Sequence, residues 1–144
     1  MGVKQNPAEM AGRFIIGVKY MAVKEPITPQ MYGAKGDGKT DDTEAFQKAV
    51  NSGYDVYVPT SNRETYLIKR TIKITNPNCK RIYSEPFSRR ASLGCIIADF
   101  GEETDPQNTP LFDIKTQLFL IGGLRIVGRS VDGHRAGTLI RAID

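Results

Sequence analysis

One segment of the sequence has a pattern that could bind the phosphates of a nucleotide. Residues Gly33–Thr40, GAKGDGKT, satisfy the P-loop pattern G-x-x-x-x-G-K-S/T, in which backbone N–H groups cradle phosphates. The apolar run Cys95–Asp99 ends in an acid that could bind magnesium. The context opposes this interpretation, because a proline interrupts the segment where a buried strand should precede the loop. The carboxylates of Asp37, Asp41 and Asp42 would also repel phosphate. We therefore predict that the chain binds no nucleotide and no other cofactor.

The residue types that ligate metals are too few for a zinc site and wrongly spaced for a calcium loop. Cys79, Cys95 and His134 are three N/S ligands, whereas structural zinc takes about four. A calcium loop counted from Asp37 places Lys48 where the bidentate glutamate should stand. We predict no metal site, and in the absence of an export signal we predict that both cysteines are reduced thiols.

Composition restricts the class of protein. The 144 residues are 40% hydrophobic with 14 glycines, which is a globular composition and suits about one domain. The net charge of +4 is spread along the chain without a block of like charges, so we predict no nucleic-acid partner. No apolar run approaches the roughly 18 residues of a membrane span, and we predict no membrane partner.

A single helix is predicted over Thr43–Ser52. Asp41 is a favourable N-cap, and Glu44 three residues later completes a capping-box pattern. Gly53 ends the helix as a C-cap residue. The predicted faces are an apolar stripe of Phe46, Ala49 and Val50 and an outward face with Gln47 and Lys48.

The rest of the chain after Gly53 reads as short strands and turns. The predicted strands are Val56–Val58, Tyr66–Ile68, Thr71–Ile74, Arg81–Tyr83, Cys95–Ile97, Leu111–Ile114, Leu118–Ile121, Leu124–Val127 and Thr138–Ile140. The central residues Ile82, Ile97, Phe112, Ile126 and Ile140 are spaced 15, 15, 14 and 14, and such regularity indicates a repeat. A sandwich or barrel also has evenly spaced strands, but hairpin turn pairs are scarce, which favours a β-solenoid.

The segment Tyr32–Thr43, YGAKGDGKTDDT, resembles the starting sequence "GAxGDGxTDDT" of right-handed parallel β-helix proteins of the pectate-lyase-like superfamily, particularly bacteriophage tailspikes. The runs Val56–Pro59 and Thr65–Ile68 are similar to the first-turn pattern "V-Y-x-P … T-Y-x-I" of that family. Leu124–Gly128 resembles its later pattern "L-x-I-x-G". The resemblance covers roughly residues 30–144.

The resemblance implies a mostly-β fold: an extended N-terminal segment, residues 1–30, followed at 31–144 by a right-handed parallel β-helix whose start is capped by one short α-helix. It implies a structural component of a phage tail that attaches a host-polysaccharide-binding spike to the virion. The implied partners are the chain itself as a homotrimer, other tail or baseplate proteins through residues 1–30, and host polysaccharide through parts beyond residue 144. The implied location is the virion tail, after assembly in the host cytoplasm.

An enzyme is the alternative that the resemblance leaves open, namely a polysaccharide lyase or hydrolase whose catalytic coils lie beyond residue 144. Glycan-cleaving members of the family use paired carboxylates or Arg/carboxylate groups on later coils. The acids available here are Asp99, Glu102, Glu103, Asp105 and Asp113. The sequence does not show whether any two of them face each other, and the chain has no tryptophan for sugar stacking. We assign no catalytic residue.

The Gly/Asp segment, Tyr32–Thr43, has a physical role that needs no family. The first turn of a solenoid exposes unpaired backbone and needs a lid. We expect Gly33, Gly36 and Gly38 to form the sharp turn, because glycine adopts positive φ. We expect the three acids Asp37, Asp41 and Asp42 to hold the turn and the helix N-terminus.

The N-terminal segment carries an apolar stretch that needs cover. Arg13–Val23 reads as a possible strand, and Pro26 and Pro29, which close the segment, make it extended and poor in helix. We predict that the segment docks onto another virion protein or onto trimer mates, with folding back on its own first turn as the competing interpretation. The proposed docking residues are Phe14, Ile15, Ile16, Val18 and Tyr20.

Overall fold

The computed structural model describes residues 25–85, 95–101, 109–117, 119–128 and 140–142. Within these ranges it has one α-helix, α1 (Thr43–Asn51), preceded by a 3₁₀ helix (Pro29–Tyr32). The strands are β1 Asp37–Asp41, β2 Val56–Tyr57, β3 Thr65–Ile68, β4 Ile72–Ile74, β5 Arg81–Tyr83, β6 Cys95–Ala98, β7 Phe112–Ile114, β8 Leu120–Gly122, β9 Ile126–Gly128 and β10 Ile140–Ala142. The predicted strand Arg13–Val23 and the five docking residues lie outside the described residues.

The strands form three sheets, and every strand pair is parallel. Sheet I has the order β2-β5-β8, sheet II β1-β3-β6-β9, and sheet III β4-β7-β10. From β2 onward the chain visits sheets I, II and III in that order three times. The predicted mostly-β fold with one α-helix is confirmed, with parallel sheets throughout the described residues.

A first turn precedes this cycle and uses the same order. Ile27 forms a parallel bridge with Val56 at the edge of sheet I, β1 then pairs with β3 in sheet II, and α1 lies beside β4 of sheet III. We call Ile27–Asn51 the first turn. The helix therefore takes the place that a strand of sheet III occupies in the later turns.

The spacing of about 15 residues in the sequence does not separate equivalent positions of successive turns. Ile82, Ile97 and Phe112 lie on sheets I, II and III respectively, so this interval separates neighbouring faces of one turn. Residues paired within one sheet are further apart, for example 26 residues for Val56 with Ile82 and 40 for Ile72 with Phe112.

The core lies between the three sheets and under the first turn. Stacked pairs such as Val56 with Ile82 and Tyr66 with Ile96 are fully buried, as is Phe46 of α1. Phe46 meets the Tyr66 ring edge-on, with the ring centroids 5.2 Å apart. Aromatic and β-branched residues at the inward positions therefore attach the helix to the stacked strands.

Two local expectations for the start of the fold were wrong. Pro29–Tyr32 is a 3₁₀ helix rather than extended chain, since proline at the first helical position supplies a suitable φ. Asp37–Asp41, expected as a loop, is strand β1. This strand has no apolar residue and is defined by its backbone pairing with β3. Among the described helices none is long and apolar enough to cross a membrane.

Candidate functional site

Asp42 fastens the glycine turn to the start of the helix. Its carboxylate accepts hydrogen bonds from the N–H groups of Lys35, at 2.7 Å, and Gly36, at 3.1 Å. The residue is 2% exposed, and burial raises the pKa of its carboxyl group, with Asp37 and Asp41 adding to the rise. Asp42 thus satisfies two backbone donors of the glycine turn.

The carboxylate of Asp37 likewise accepts backbone N–H groups, here those of strand β1. The register between β1 and β3 is irregular: Asp37 opposes Thr65 while Asp41 opposes Leu67, so β1 bulges. The Asp37 carboxylate accepts the N–H groups of Lys39, at 2.9 Å, and Thr40, at 2.8 Å. These bonds to the charged form lower the pKa of Asp37 to about 2.

Asp41 and Glu44 differ from the predicted capping box. The N-cap position is Asp42, whose carbonyl accepts the N–H of Phe46 at 3.1 Å, because the helix begins at Thr43. Asp41 precedes it and accepts the N–H of Thr43 at 3.0 Å and its hydroxyl. Glu44 forms an exposed ion pair with Arg70 at 2.7 Å, since the β3–β4 corner places that guanidinium beside it.

The predicted turn glycines all have positive φ. The angles are 96° at Gly33, 62° at Gly36, 71° at Gly38 and 79° at Gly53, which directly follows the C-cap residue Ser52. At Gly36 a Cβ atom would also lie 3.1 Å from the Tyr66 ring. Glycine at this position therefore allows the turn to pack directly on the core.

In this geometry the backbone donors of the Gly/Asp segment are engaged by its own carboxylates. The three carboxylates already accept the backbone N–H groups of Lys35, Gly36, Lys39, Thr40 and Thr43. An incoming phosphate would meet engaged donors and three acids. Across the described ranges, no three His, Cys, Asp or Glu residues are grouped so that they could hold a metal ion.

Helix α1 also lies beside the edge of sheet III, and Gln47, which is outside the apolar stripe as predicted, bonds to that edge. Its side-chain amide accepts the N–H of Lys73 at 2.9 Å and donates to the carbonyl of the same residue at 2.8 Å. Hydrophobic periodicity places Gln47 away from the apolar stripe, but it carries no information about an edge strand that lies beside the helix. No sequence signal we used could have identified this contact.

Two tyrosines lie side by side on sheet I, which the sequence analysis did not anticipate. The rings of Tyr57 and Tyr83 are 5.5 Å apart, and the Arg81 guanidinium lies 4.7 Å above the Tyr83 ring. The Tyr57 hydroxyl donates to Glu85 at 2.8 Å, and burial together with this carboxylate raises the pKa of Tyr57 to about 12. Successive side chains of a strand point to opposite faces, so the inward valines of Val56-Tyr57-Val58 could have predicted that Tyr57 faces outward.

The acids considered for glycan cleavage are not brought together in the described part of the chain. Asp113 is buried in β7, with its carboxylate 3.9 Å from the Lys115 ammonium. Asp99 follows β6, and its backbone N–H donates to Ile68 at 2.9 Å. The remaining three, Glu102, Glu103 and Asp105, lie outside the described residues, as does His134.

Comparison with known proteins identifies relatives of the Gly/Asp segment and the turns after it. Residues 30–78 match the family model of rhamnogalacturonase A/epimerase, pectate lyase-like. Over 48 residues, 33% of this chain, the sequence is 52% identical to the pre-neck appendage protein of Bacillus phage B103 and 50% identical to that of Bacillus phage phi29. It spans 5% of the length of those two proteins.

Two further similarities extend over more of the chain. A non-secreted LysM effector of Penicillium expansum is 31% identical over 107 residues, 67% of this chain and 8% of that protein. The solved structure of ORF18 of Geobacillus virus E2 superposes on 90% of this chain and 25% of its own, with a TM-score of 0.52 and 25% identity. The predicted resemblance to phage proteins of the pectate-lyase-like superfamily is confirmed.

Proposed function

We propose that this chain is a structural part of a phage tail appendage, in which it forms the capped start of a right-handed parallel β-helix. The observation that carries the proposal is the 50–52% identity to phage pre-neck appendage proteins. The similarity to a phage ORF18 structure, which covers 90% of the chain, supports the same class of protein. Because the chain spans 5% of the appendage proteins, its role in the whole particle is part of the proposal.

The β-helix is supported by the order in which the chain visits its sheets. A chain that passes from sheet I to II to III three times, always in parallel register, winds about one axis. Residues that meet between successive passes are 26 apart for Glu44 with Arg70 and for Gln47 with Lys73. The separation grows to 40 for Ile72 with Phe112, so the passes keep their order of sheets while their connections differ in length. The right-handed sense follows the usual handedness of parallel crossovers.

We further propose that residues 1–30 attach the appendage to other tail or baseplate proteins. The apolar run at Phe14–Val18 is flanked by lysines and prolines that oppose a compact unit of its own, and such a run is normally covered by a partner. In this proposal the whole protein is a homotrimer of the virion tail that is assembled in the host cytoplasm. It binds host polysaccharide through other parts.

A polysaccharide depolymerase is the second candidate. It is favoured by the family model that matches residues 30–78, whose description names rhamnogalacturonase A/epimerase. The described residues argue against chemistry in this part, since Asp113 of β7 is buried near Lys115 and Asp99 follows β6, a strand of another sheet. Catalysis would then belong to other parts of the whole protein.

Localisation on phage particles tests the structural role. Antibodies raised against the 144-residue chain are expected to label the tail region of intact virions in electron micrographs. Particles from a phage with the gene deleted should lack both the label and adsorption to host cells. Virions that carry no label, or mutants that adsorb normally, would contradict the proposal.

The enzymatic candidate requires a separate measurement. The 144-residue chain, incubated with capsular and O-antigen polysaccharides, is expected to release no new reducing ends and no unsaturated uronates. Turnover that a single carboxylate substitution abolishes would overturn this assignment. Heat-treated chain serves as the control for contaminating activity.

A further inference from the structure

Strand β4 is the edge of sheet III, and its open side faces helix α1. The sheet has the order β10-β7-β4, so β4 pairs with a strand on one side alone. Edge strands present unpaired N–H and C=O groups that can accept a strand from another chain. On the side of β4 that faces away from β7, those N–H and C=O groups therefore need partners other than a strand.

Every backbone N–H and C=O group of β4 on that side has a hydrogen-bond partner. Ile72 donates its N–H to Leu111 at 2.8 Å, and the carbonyl of Ile74 accepts from Lys115 at 2.9 Å, so these residues bond toward β7. In a parallel strand the residue between them points its N–H and C=O the other way. That residue is Lys73, and both of its groups are bonded to the single side chain of Gln47, at 2.9 and 2.8 Å.

The orientation of the Gln47 amide is determined by its partners. A backbone N–H can only donate and a carbonyl can only accept, so Oε1 faces the N–H of Lys73 and Nε2 faces its carbonyl. The same Nε2 also donates to the Asn51 side chain one helical turn later, at 3.0 Å. Gln47 thus offers one donor and one acceptor side by side, as the peptide groups of a neighbouring strand would.

We propose that Gln47 is the residue that ends sheet III, because its side-chain amide replaces the missing strand and leaves no backbone group of β4 free on that side. The other two sheets end in comparable ways. Ile27 uses both its N–H and its C=O on sheet I and follows Pro26, which has no N–H. Asp37 accepts the donors that the bulge in β1 frees. A strand added beside β4 would then have to displace the Gln47 side chain.

Amide hydrogen exchange measured by NMR tests the role of Gln47 directly. Q47M keeps the length of the side chain but removes both hydrogen bonds, and we expect the Lys73 amide to exchange about tenfold faster or more. Q47E keeps the acceptor, so the Lys73 amide should remain protected at neutral pH. The matched control K48M makes the same kind of change at the exposed neighbouring position and should leave Lys73 unchanged.

The comparison between variants separates the hydrogen bonds from the packing of the helix. The Ile96 amide, which donates to Arg125 at 2.9 Å in sheet II, reports whether the rest of the fold is intact. Faster exchange at Lys73 in Q47M alone, with Ile96 unchanged, supports the proposal. Unchanged protection in Q47M, or equal loss in Q47M and Q47E, overturns it. If Q47M fails to fold, Q47A replaces it, and the same faster exchange at Lys73 with Ile96 unchanged is required.

Discussion

Asp37 and Asp42 perform the same task in one short segment, yet the pKa values of their carboxyl groups move in opposite directions. Asp37 is exposed and accepts several hydrogen bonds, which favours its charged form. Asp42 is buried, and desolvation outweighs the two N–H bonds that it accepts. The same residue type therefore binds protons with different affinity, according to its environment alone.

The first prediction concerns the pH dependence that Asp37 contributes. Its folded pKa of about 2 is lower than the usual 3.8, so its stabilising contribution is complete above about pH 4. The contribution is lost as the pH falls through about 2. Thermal melts of the wild type and D37N should differ at neutral pH and converge toward pH 2. A difference that is constant with pH would show that the charge of Asp37 does not contribute.

The second prediction compares two glycines of positive φ that have different surroundings. Gly33 has φ 96° and open space where a Cβ would lie, so Gly33→Ala is expected to cost about 1 kcal/mol for the backbone alone. At Gly123, with φ 69°, a Cβ would lie 2.6 Å from the carbonyl oxygen of Ser84. Gly123→Ala should cost about 1–3 kcal/mol more. Urea denaturation measures both, and equal costs would contradict the packing argument.

At the scale of elements, helix α1 is stabilised by a hydrogen bond at its N-terminus as well as by the packing of its apolar face. The Asp41 carboxylate accepts the N–H of Thr43 at 3.0 Å, a donor that has no partner within the helix. The third prediction is that Asp41→Ala destabilises the fold by about 1 kcal/mol. Lys39→Ala, two residues earlier and exposed, should change neither stability nor nucleotide affinity.

Thermal melts with and without Mg-ATP measure both effects of the third prediction. We expect no rise in Tm with Mg-ATP in the wild type or in either variant, because the nearby N–H groups already bond to carboxylates. A rise in Tm that Lys39→Ala abolishes would restore the P-loop interpretation. Equal melting temperatures for Asp41→Ala and the wild type would contradict the capping role.

The sequence predicted the elements that are defined by apolar side chains. Runs such as Arg81–Tyr83 and Cys95–Ile97 coincide with β5 and β6, because inward isoleucines mark both strands. Strand β1 could not be predicted in this way, since DGKTD contains no apolar residue and its pairing is made by backbone groups. The position of an element in the sheets depends on neighbours that are distant in sequence.

The candidate site could be predicted only in part, because its local contacts follow from neighbouring residues and its distant contacts do not. The turn and the acids of the Gly/Asp segment are local, so their roles follow from residue type and position. The contacts of Glu44 with Arg70 and of Gln47 with Lys73 join residues 26 apart. They require the length of one complete turn to be known, and the regular interval in the sequence did not provide it.

At the scale of the whole molecule, the contacts of residues 25–30 decide where a truncation can be made. Within the proposed attachment segment, residues 1–30, Ile27 bridges to Val56 and Pro29 is buried. Ile27 also exchanges two backbone hydrogen bonds with sheet I, at 2.9 and 2.8 Å. A truncation intended to remove attachment without damaging the fold should therefore end at residue 24.

The fourth prediction uses two truncations as a matched pair. Removing residues 1–24 should leave the Tm of the remaining chain close to that of the intact chain, while the virions no longer carry the appendage. Removing residues 1–29 also deletes Ile27 and Pro29, so it should lower the Tm by several degrees. The reason is that it exposes the edge of sheet I and the apolar surface under the 3₁₀ helix.

Circular dichroism melts and immunoelectron microscopy of virions provide the two measurements. If both truncations lower the Tm equally, the N-terminal segment folds back on the first turn and the attachment proposal fails. If neither prevents the appendage from joining the virion, attachment resides in another part of the protein.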